Sequence, residues 1–581
     1  MSRPATWLAR WWSASHGGKA GGLGGGLAAI VVLAPWWQPG ALLVRDLVAV
    51  GDPAWSLSLL DGGARLPRDI PGEVLTAAVG QVIPADVLVR VLLLVALVVL
   101  GAGIGRLLGG MPVAASFVGG VVSVWNPYVW GRLHQGQWLM LVALAAVPWV
   151  VVHLRRADVW RLVRVVVLAS FSGFLAWIVV VPTLVVVGAA ARRWRELLAG
   201  LSAAAVMALP WVIVADDVRV DPDAFSAFAP NADLAGGVVP SLLTGGGYFN
   251  AAVASPWRDK WPIAVFTLAL TVVAGVGVRG WLRGADPADR RARMGLLAAG
   301  ILTLATTLLA ASGAGQDLLV RLAEAVPAVS IVRDSQRLIA PWVAVLAIGV
   351  GAAAGQIGAR AATPIGVAAV VIGMAAVSLP DPLIGPRLPA PSQLPAAWER
   401  AAAIVNGGSV DGAVLVVPYG QTQRYAFTGQ RPVAVPLRRL MRAPVAVDTR
   451  LVVGEYEVED RADDDRLREL ARRAPSQVTG QELAAAGVAW VAVTDPELFV
   501  ATPPSGLRTE ISAPTLQLLR VGPVSVDVAW AERPSTRVLV IDLLVALAAL
   551  GAIVAPTVAM RVGRSGRSRS GRSSPTVEDV G

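Results

Sequence analysis

Long apolar runs recur along the chain, broken by short stretches of Arg, Asp, Gly and Pro. A helix that crosses a bilayer needs roughly 20 mainly apolar residues, because it must satisfy its own backbone hydrogen bonds over about 30 Å of hydrocarbon. About twelve segments fit: residues 23–42, 87–107, 111–127, 138–153, 162–176, 177–191, 197–215, 262–280, 295–311, 338–356, 363–379 and 537–559. The stretch from 162 to 191 reads as two helices, since Phe171-Ser172-Gly173 interrupts it. The positive-inside rule favours the same division. It then gathers Arg155 and Arg156, Arg192 and Arg193, Arg290 and Arg291, Arg360 and the Arg561–Arg572 tail on a cytoplasmic side, together with both termini.

The opposite side receives the long polar segments, about 43–86, 216–261, 312–337 and 380–536. Within the last, Gly412–Pro418 and Val488–Val493 are β-branched runs bounded by turn residues, while Asp463–Arg473 and Gly480–Ala486 read as helices. The expected fold class is an all-α polytopic membrane protein of about 12 transmembrane helices with a small extracytoplasmic α/β domain. Its parts are a membrane domain over 1–379, the α/β domain over 380–536, a final span over 537–559, and a disordered basic cytoplasmic tail over 560–581.

Composition narrows the function. Of 581 residues, 55% are hydrophobic and 15% charged, which excludes an ordinary soluble enzyme and a disordered chain alike. The net charge of +10 comes from arginines clustered between apolar runs, so nucleic acid is not an expected partner. With no cysteine and three scattered histidines, chemistry must rest on carboxylates, arginines, amides and backbone.

Four polar clusters fall on the outer side. In the first, Asp46 follows the first span at the depth where water meets hydrocarbon, a place suited to a general base that meets both a lipid-linked donor and a hydrophilic acceptor. The structural alternative is a pair with Arg45 or a helix cap. Asp52, before Pro53, is a second candidate carboxylate that an Asp-Pro turn also explains. The second cluster runs from Trp125-Asn126-Pro127-Tyr128 to Gly136-Gln137-Trp138; Arg132, His134, Gln137 and Trp138 could receive a phosphate and border a sugar or prenyl chain. An interfacial aromatic hairpin is the alternative. The third is a Gly-rich loop, Pro240–Asn250, in which Tyr248 could line a substrate, although packing is favoured. The fourth, Arg333-Asp334-Ser335-Gln336-Arg337, offers Arg333 and Arg337 as a phosphate clamp, or an Arg333–Asp334 pair with Arg337 snorkelling.

The order of these clusters resembles the GT-C superfamily of membrane glycosyltransferases, and is most similar to the membrane part of the actinobacterial alpha-(1→3)-arabinofuranosyltransferase family. The resemblance covers about the first 380 residues. It implies a polyprenyl-phosphate sugar donor, a cell-envelope glycan or lipid acceptor outside the membrane, and Asp46 as the first-loop general base. No nucleotide is expected, because the lipid phosphate is already the leaving group. The metal is left open: a divalent cation on Asp46, Asp52 or other loop carboxylates could assist, and Arg132, Arg333 and Arg337 could replace it. The alternatives are a lipid or glycan transporter or flippase, and a non-catalytic envelope-assembly scaffold. Against transport, no ionisable residues cluster at mid-membrane and no repeated broken helices stand out.

Overall fold

The computed structural model describes residues 5–55, 71–212, 221–385, 387–408, 412–448, 450–458, 465–522, 524 and 536–569, with the side chains of 5–15 and 554–569 left aside. Each expected apolar segment carries a helix. Among the described residues, seven helices are long and apolar enough to cross a membrane: Ala85–Leu107, Trp138–Arg156, Trp194–Val212, Trp261–Arg283, Pro287–Ala310, Ser335–Arg360 and Thr536–Ile553. Phe174–Ala190 and Pro364–Ser378 are shorter apolar helices. The expected count of twelve crossings is therefore met by length and apolarity at seven positions. The chain is a polytopic membrane protein.

Two boundaries differ from expectation. The first helix, Ala5–Val32, begins earlier than the apolar run suggested and ends at Val32, where Ala34–Trp37 tighten into a 3-10 turn carrying Pro35. Glycines lower the hydropathy of this helix, yet they form its packing face. Gly21 and Gly25 lie so close to Gly101 and Gly105 of the Ala85–Leu107 helix that no Cβ fits, and small residues let two backbones approach in this way. At the other end, the final helix continues from Thr536 to Arg569. The helix thus runs into the stretch expected as a disordered tail, and residues 570–581 lie outside the described residues. The break at Phe171-Ser172-Gly173 separates Val159–Ser170 from Phe174–Ala190, with Gly173 at φ 64°.

Beyond the bundle, a five-stranded sheet has the order Leu507–Ala513, Leu516–Val521, Val488–Val493, Ala413–Val417, Val445–Ala446. The central pair, Ala413–Val417 and Val488–Val493, is parallel. Alternation along the strand sends Val414 and Val416 toward Trp398 and Leu437, and Leu415 and Val417 toward Leu470 and Leu483. Both faces are covered, which is why these strands read as continuous apolar runs.

The sheet domain is sewn to the bundle by a hairpin, Leu42–Val44 and Leu47–Ala49. Ala41 exchanges backbone hydrogen bonds with Ser392, both 2.9 Å, and the nitrogen of Ala434 donates to the carbonyl of Arg45 at 2.7 Å. Leu43 and Val50 are buried with Val433 and Val435 in the core of the sheet domain. A short helix, Gly72–Gly80, lies between the hairpin and the Ala85–Leu107 helix, and its Glu73 pairs with Arg439 of the sheet domain.

Candidate functional site

A cavity of about 1400 Å³ lies along this seam. The hairpin, the Gln135–Trp138 segment, Arg333 and Arg337 line it from the bundle; Gln421, Gln423, Arg424 and Arg438 line it from the sheet domain. Trp138 begins the Trp138–Arg156 helix at the cavity. Arg155 and Arg156 end that helix about 28 Å away, at 1.5 Å per residue. The cavity and the arginine clusters thus occupy opposite ends of the bundle.

Asp46 is on the cavity wall. With Arg45 it forms the two-residue turn of the hairpin, and Arg45 takes a left-handed φ of 49°. The backbone nitrogen of Asp46 donates to the carbonyl of Gln135 at 3.1 Å. Gly136 makes this contact possible: at φ 78° it ends the Pro127–Gln135 helix, and Val44 O and Leu47 N leave no room for a Cβ. The Asp46 carboxylate accepts from Nε2 of Gln135 at 3.3 and 3.2 Å, and from Nε2 of Gln137 at 3.3 Å.

The orientation of both amides is imposed from behind. Asn250 Nδ2 donates to Gln135 Oε1 at 3.2 Å. Tyr248 Oη donates to Gln137 Oε1 at 3.1 Å, and Arg132 Nη1 donates to the same oxygen. An amide whose carbonyl oxygen is claimed by donors must present its NH2 on the other side, and that side is Asp46.

Arg132 is wholly buried. Its guanidinium also donates to Tyr248 Oη at 2.8 Å, to Asp334 Oδ2 at 3.1 Å and to Gln336 Oε1. It lies over the rings of Tyr128 and Tyr248, 5.2 and 4.6 Å from their centroids. The sequence suggested a phosphate ligand here; the structure places Arg132 behind the wall, because four neighbours already use its donors. Tyr248 is likewise buried behind the cavity rather than lining it. His134 also lies off the wall, its Nδ1 3.1 Å from the Trp130 carbonyl. Burial pushes its imidazole down to about 4, so it is neutral at physiological pH. Asp52 is exposed and outside the cavity lining. The hairpin carries the chain on past the second strand, so the two carboxylates do not share a site.

Gln137, Trp138, Arg333 and Arg337 do line the cavity. Arg333 lies between two 3-10 segments, Pro327–Val332 and Ser335–Ile339, and Arg337 lies in the second; both arginines reach the wall. Arg333 lies over Phe228 at 5.0 Å and Arg337 over Phe174 at 5.5 Å. Asp334 sits between Arg337, at 2.8 Å, and Arg132. Burial alone would raise its carboxyl pKa, but Arg132, Arg337 and Arg333 outweigh it and hold the group below the usual range.

The Gly-rich loop packs behind the wall through Gly246 and Tyr248, while Phe249 and Asn250 at its end line the cavity. Gly246 packs against the ends of the Asp233 and Arg258 side chains, and its carbonyl accepts from Gln336 at 3.1 Å. The sequence did not single out Gln135, Asn250, Arg438 or Glu73. Gln135 adjoins a C-capping glycine and repeats Gln137 across it, a signal present in the chain; Asn250 closes the Gly-rich loop, whereas Arg438 and Glu73 reach the cavity from distant segments and carry no local mark. Among the described residues, no three His, Cys, Asp or Glu side chains gather as a metal site. Asp46 is surrounded by amide donors, which does not fit a cage of several carboxylates.

Neither a family model nor any curated protein matches the chain. Its structure is similar to the cryo-EM structure of the arabinofuranosyltransferase AftD from Mycobacteria, with a TM-score of 0.54 at 15% identity over 91% of this chain. The chain shares that enzyme's fold. A structure of a variant of the same enzyme gives a TM-score of 0.50 at 15% identity, again over 91% of this chain. The chain spans 40% of the first of these proteins and 42% of the second.

Proposed function

We propose that the chain is a membrane glycosyltransferase that moves a sugar from a polyprenyl-phosphate donor to a cell-envelope glycan or lipid acceptor, with Asp46 as general base. The observation that carries this reading is a carboxylate, Asp46, held by two oriented amides on the wall of a large cavity that also bears arginines. The likeness of fold to an arabinofuranosyltransferase supports it.

The acceptor hydroxyl gives its proton to Asp46 as its oxygen attacks the anomeric carbon, and the bond to the phosphate oxygen breaks with inversion. Negative charge then gathers on the departing polyprenyl phosphate. Arg333, Arg337 and Arg438 stand on the wall to meet it; Arg438 has a buried Nη1 without a hydrogen-bond partner among the described residues. Trp138, Leu139, Phe174 and Leu175 supply apolar lining beside them, suited to the first isoprene units. In this reading the cavity and sheet domain are extracytoplasmic, and the arginine-rich end and both termini are cytoplasmic.

The test is incubation of the purified chain with a panel of polyprenyl-phosphate sugars and mass analysis of the products. Asp46→Asn is expected to lower turnover on the order of 100- to 10,000-fold with insertion and folding intact. Undiminished turnover in that variant would falsify the assignment of the base.

A further inference from the structure

A second groove of about 420 Å³ runs between the helices Trp261–Arg283, Pro287–Ala310 and Ser335–Arg360, away from the Asp46 cavity. Ala274, Val278, Leu297, Val345 and Leu346 form apolar walls. Gly275 meets nothing within 4 Å and leaves the groove open. From Thr271 to Arg283 it follows its helix for about 18 Å. Beside it, Val272 and Val276 are exposed, as are Ile301 and Leu302 of the next helix, so this flank of the bundle faces lipid.

One end of the groove is strongly basic. Arg279 and Arg283, one turn apart, and Arg290 all line it and are exposed. Among the described residues, none of the three has a carboxylate within 4 Å; nearby Asp289 is taken by Arg155 and Arg293. Asp286 caps the Pro287–Ala310 helix by accepting from the nitrogen of Asp289. The Arg155–Asp289 pair also fixes the level of this end, since Arg155 closes a helix that starts at the cavity. The arginines therefore stand where headgroups of the leaflet opposite the cavity would lie.

We infer that this groove binds one anionic phospholipid, its phosphate among Arg279, Arg283 and Arg290 and an acyl chain along Gly275 toward Trp342. Three uncompensated cations at the mouth of an apolar slot complement one negative headgroup on an apolar tail. A zwitterionic lipid fills the slot equally well but gains much less from the charges. Each arginine near an anionic headgroup contributes about 5-fold in affinity, hence on the order of 100-fold for three.

The full chain, transferred into micelles holding equal phosphatidylglycerol and phosphatidylcholine, can be examined by native mass spectrometry for retained lipid. The expected result is one phosphatidylglycerol kept in strong preference. Arg279→Gln/Arg283→Gln/Arg290→Gln brings the two lipids near parity, and Arg283→Gln alone lowers the preference about 5-fold, which keeps the test open if the triple variant folds poorly. Gly275→Leu, which fills the groove, removes retention of both lipids with helical content unchanged. Arg192→Gln/Arg195→Gln, exposed outside the groove, retains the native preference. Equal retention of both lipids by the native chain overturns the inference. So does equal loss in the Arg192 and Arg195 control, which would indicate diffuse surface charge. Displacement of the lipid by glycerol phosphate, which has the headgroup charge and no chains, overturns it as well.

Discussion

Replacing Arg132 by Met separates two roles for this side chain. Its guanidinium is wholly buried and donates to Gln137, Tyr248, Asp334 and Gln336. Met keeps much of the volume and removes every donor. Asp334, itself buried, then keeps Arg337 at 2.8 Å but loses its partner at 3.1 Å. Removing one member of a buried ion pair costs about 3–5 kcal/mol, because the other charge stays desolvated. Arg337 retains part of the compensation, so the lower end, about 3 kcal/mol, is expected. The assay is denaturant unfolding in detergent for Arg132→Met, Asp334→Leu and the double variant, read as a cycle. The double variant should recover at least half of the loss, since it removes the buried carboxylate and leaves unpaired only Arg337, which reaches the cavity. Lys at this position should fail to rescue, having no fork of donors for four acceptors. If Arg132→Met unfolds with the native protein and loses only donor affinity, the guanidinium serves a ligand, and the account of a buried node behind the wall is refuted.

Two further outcomes follow from the same geometry. Asn250→Asp cannot donate to Gln135 Oε1, so the amide is free to turn; turnover should fall about 10-fold with donor KM little changed, and a KM rise at constant kcat would point to substrate binding instead. His134 titrates near 6.5 when unfolded and near 4 when buried. Between those values the unfolded chain binds more protons, so this contribution is whole above about pH 6.5 and is lost as pH falls toward 4, at most on the order of 3 kcal/mol. His134→Gln should flatten that part of a stability-versus-pH profile measured in detergent; an unchanged profile would remove His134 as its source.

The sequence by itself determined where the helices lie, because a bilayer-spanning helix is a local property: each needs only its own run of apolar residues to satisfy its backbone. The break at Gly173, the strands Ala413–Val417 and Val488–Val493, and Asp46 as a polar residue just beyond the first helix were legible for the same reason. Tertiary structure decided which polar residues meet. Arg132 and Asp52 look equally available along the chain, yet one is sealed among Tyr128, Tyr248 and Asp334 and the other is exposed and outside the cavity lining. Arg438 reaches the site from a segment with no periodicity to announce it, and Asn250, within the Gly-rich loop, meets Gln135 only through the fold. Apolar burial is written in the spacing of a segment, whereas the destination of a donor or carboxylate depends on partners far along the chain, which only the packed chain brings within hydrogen-bond reach.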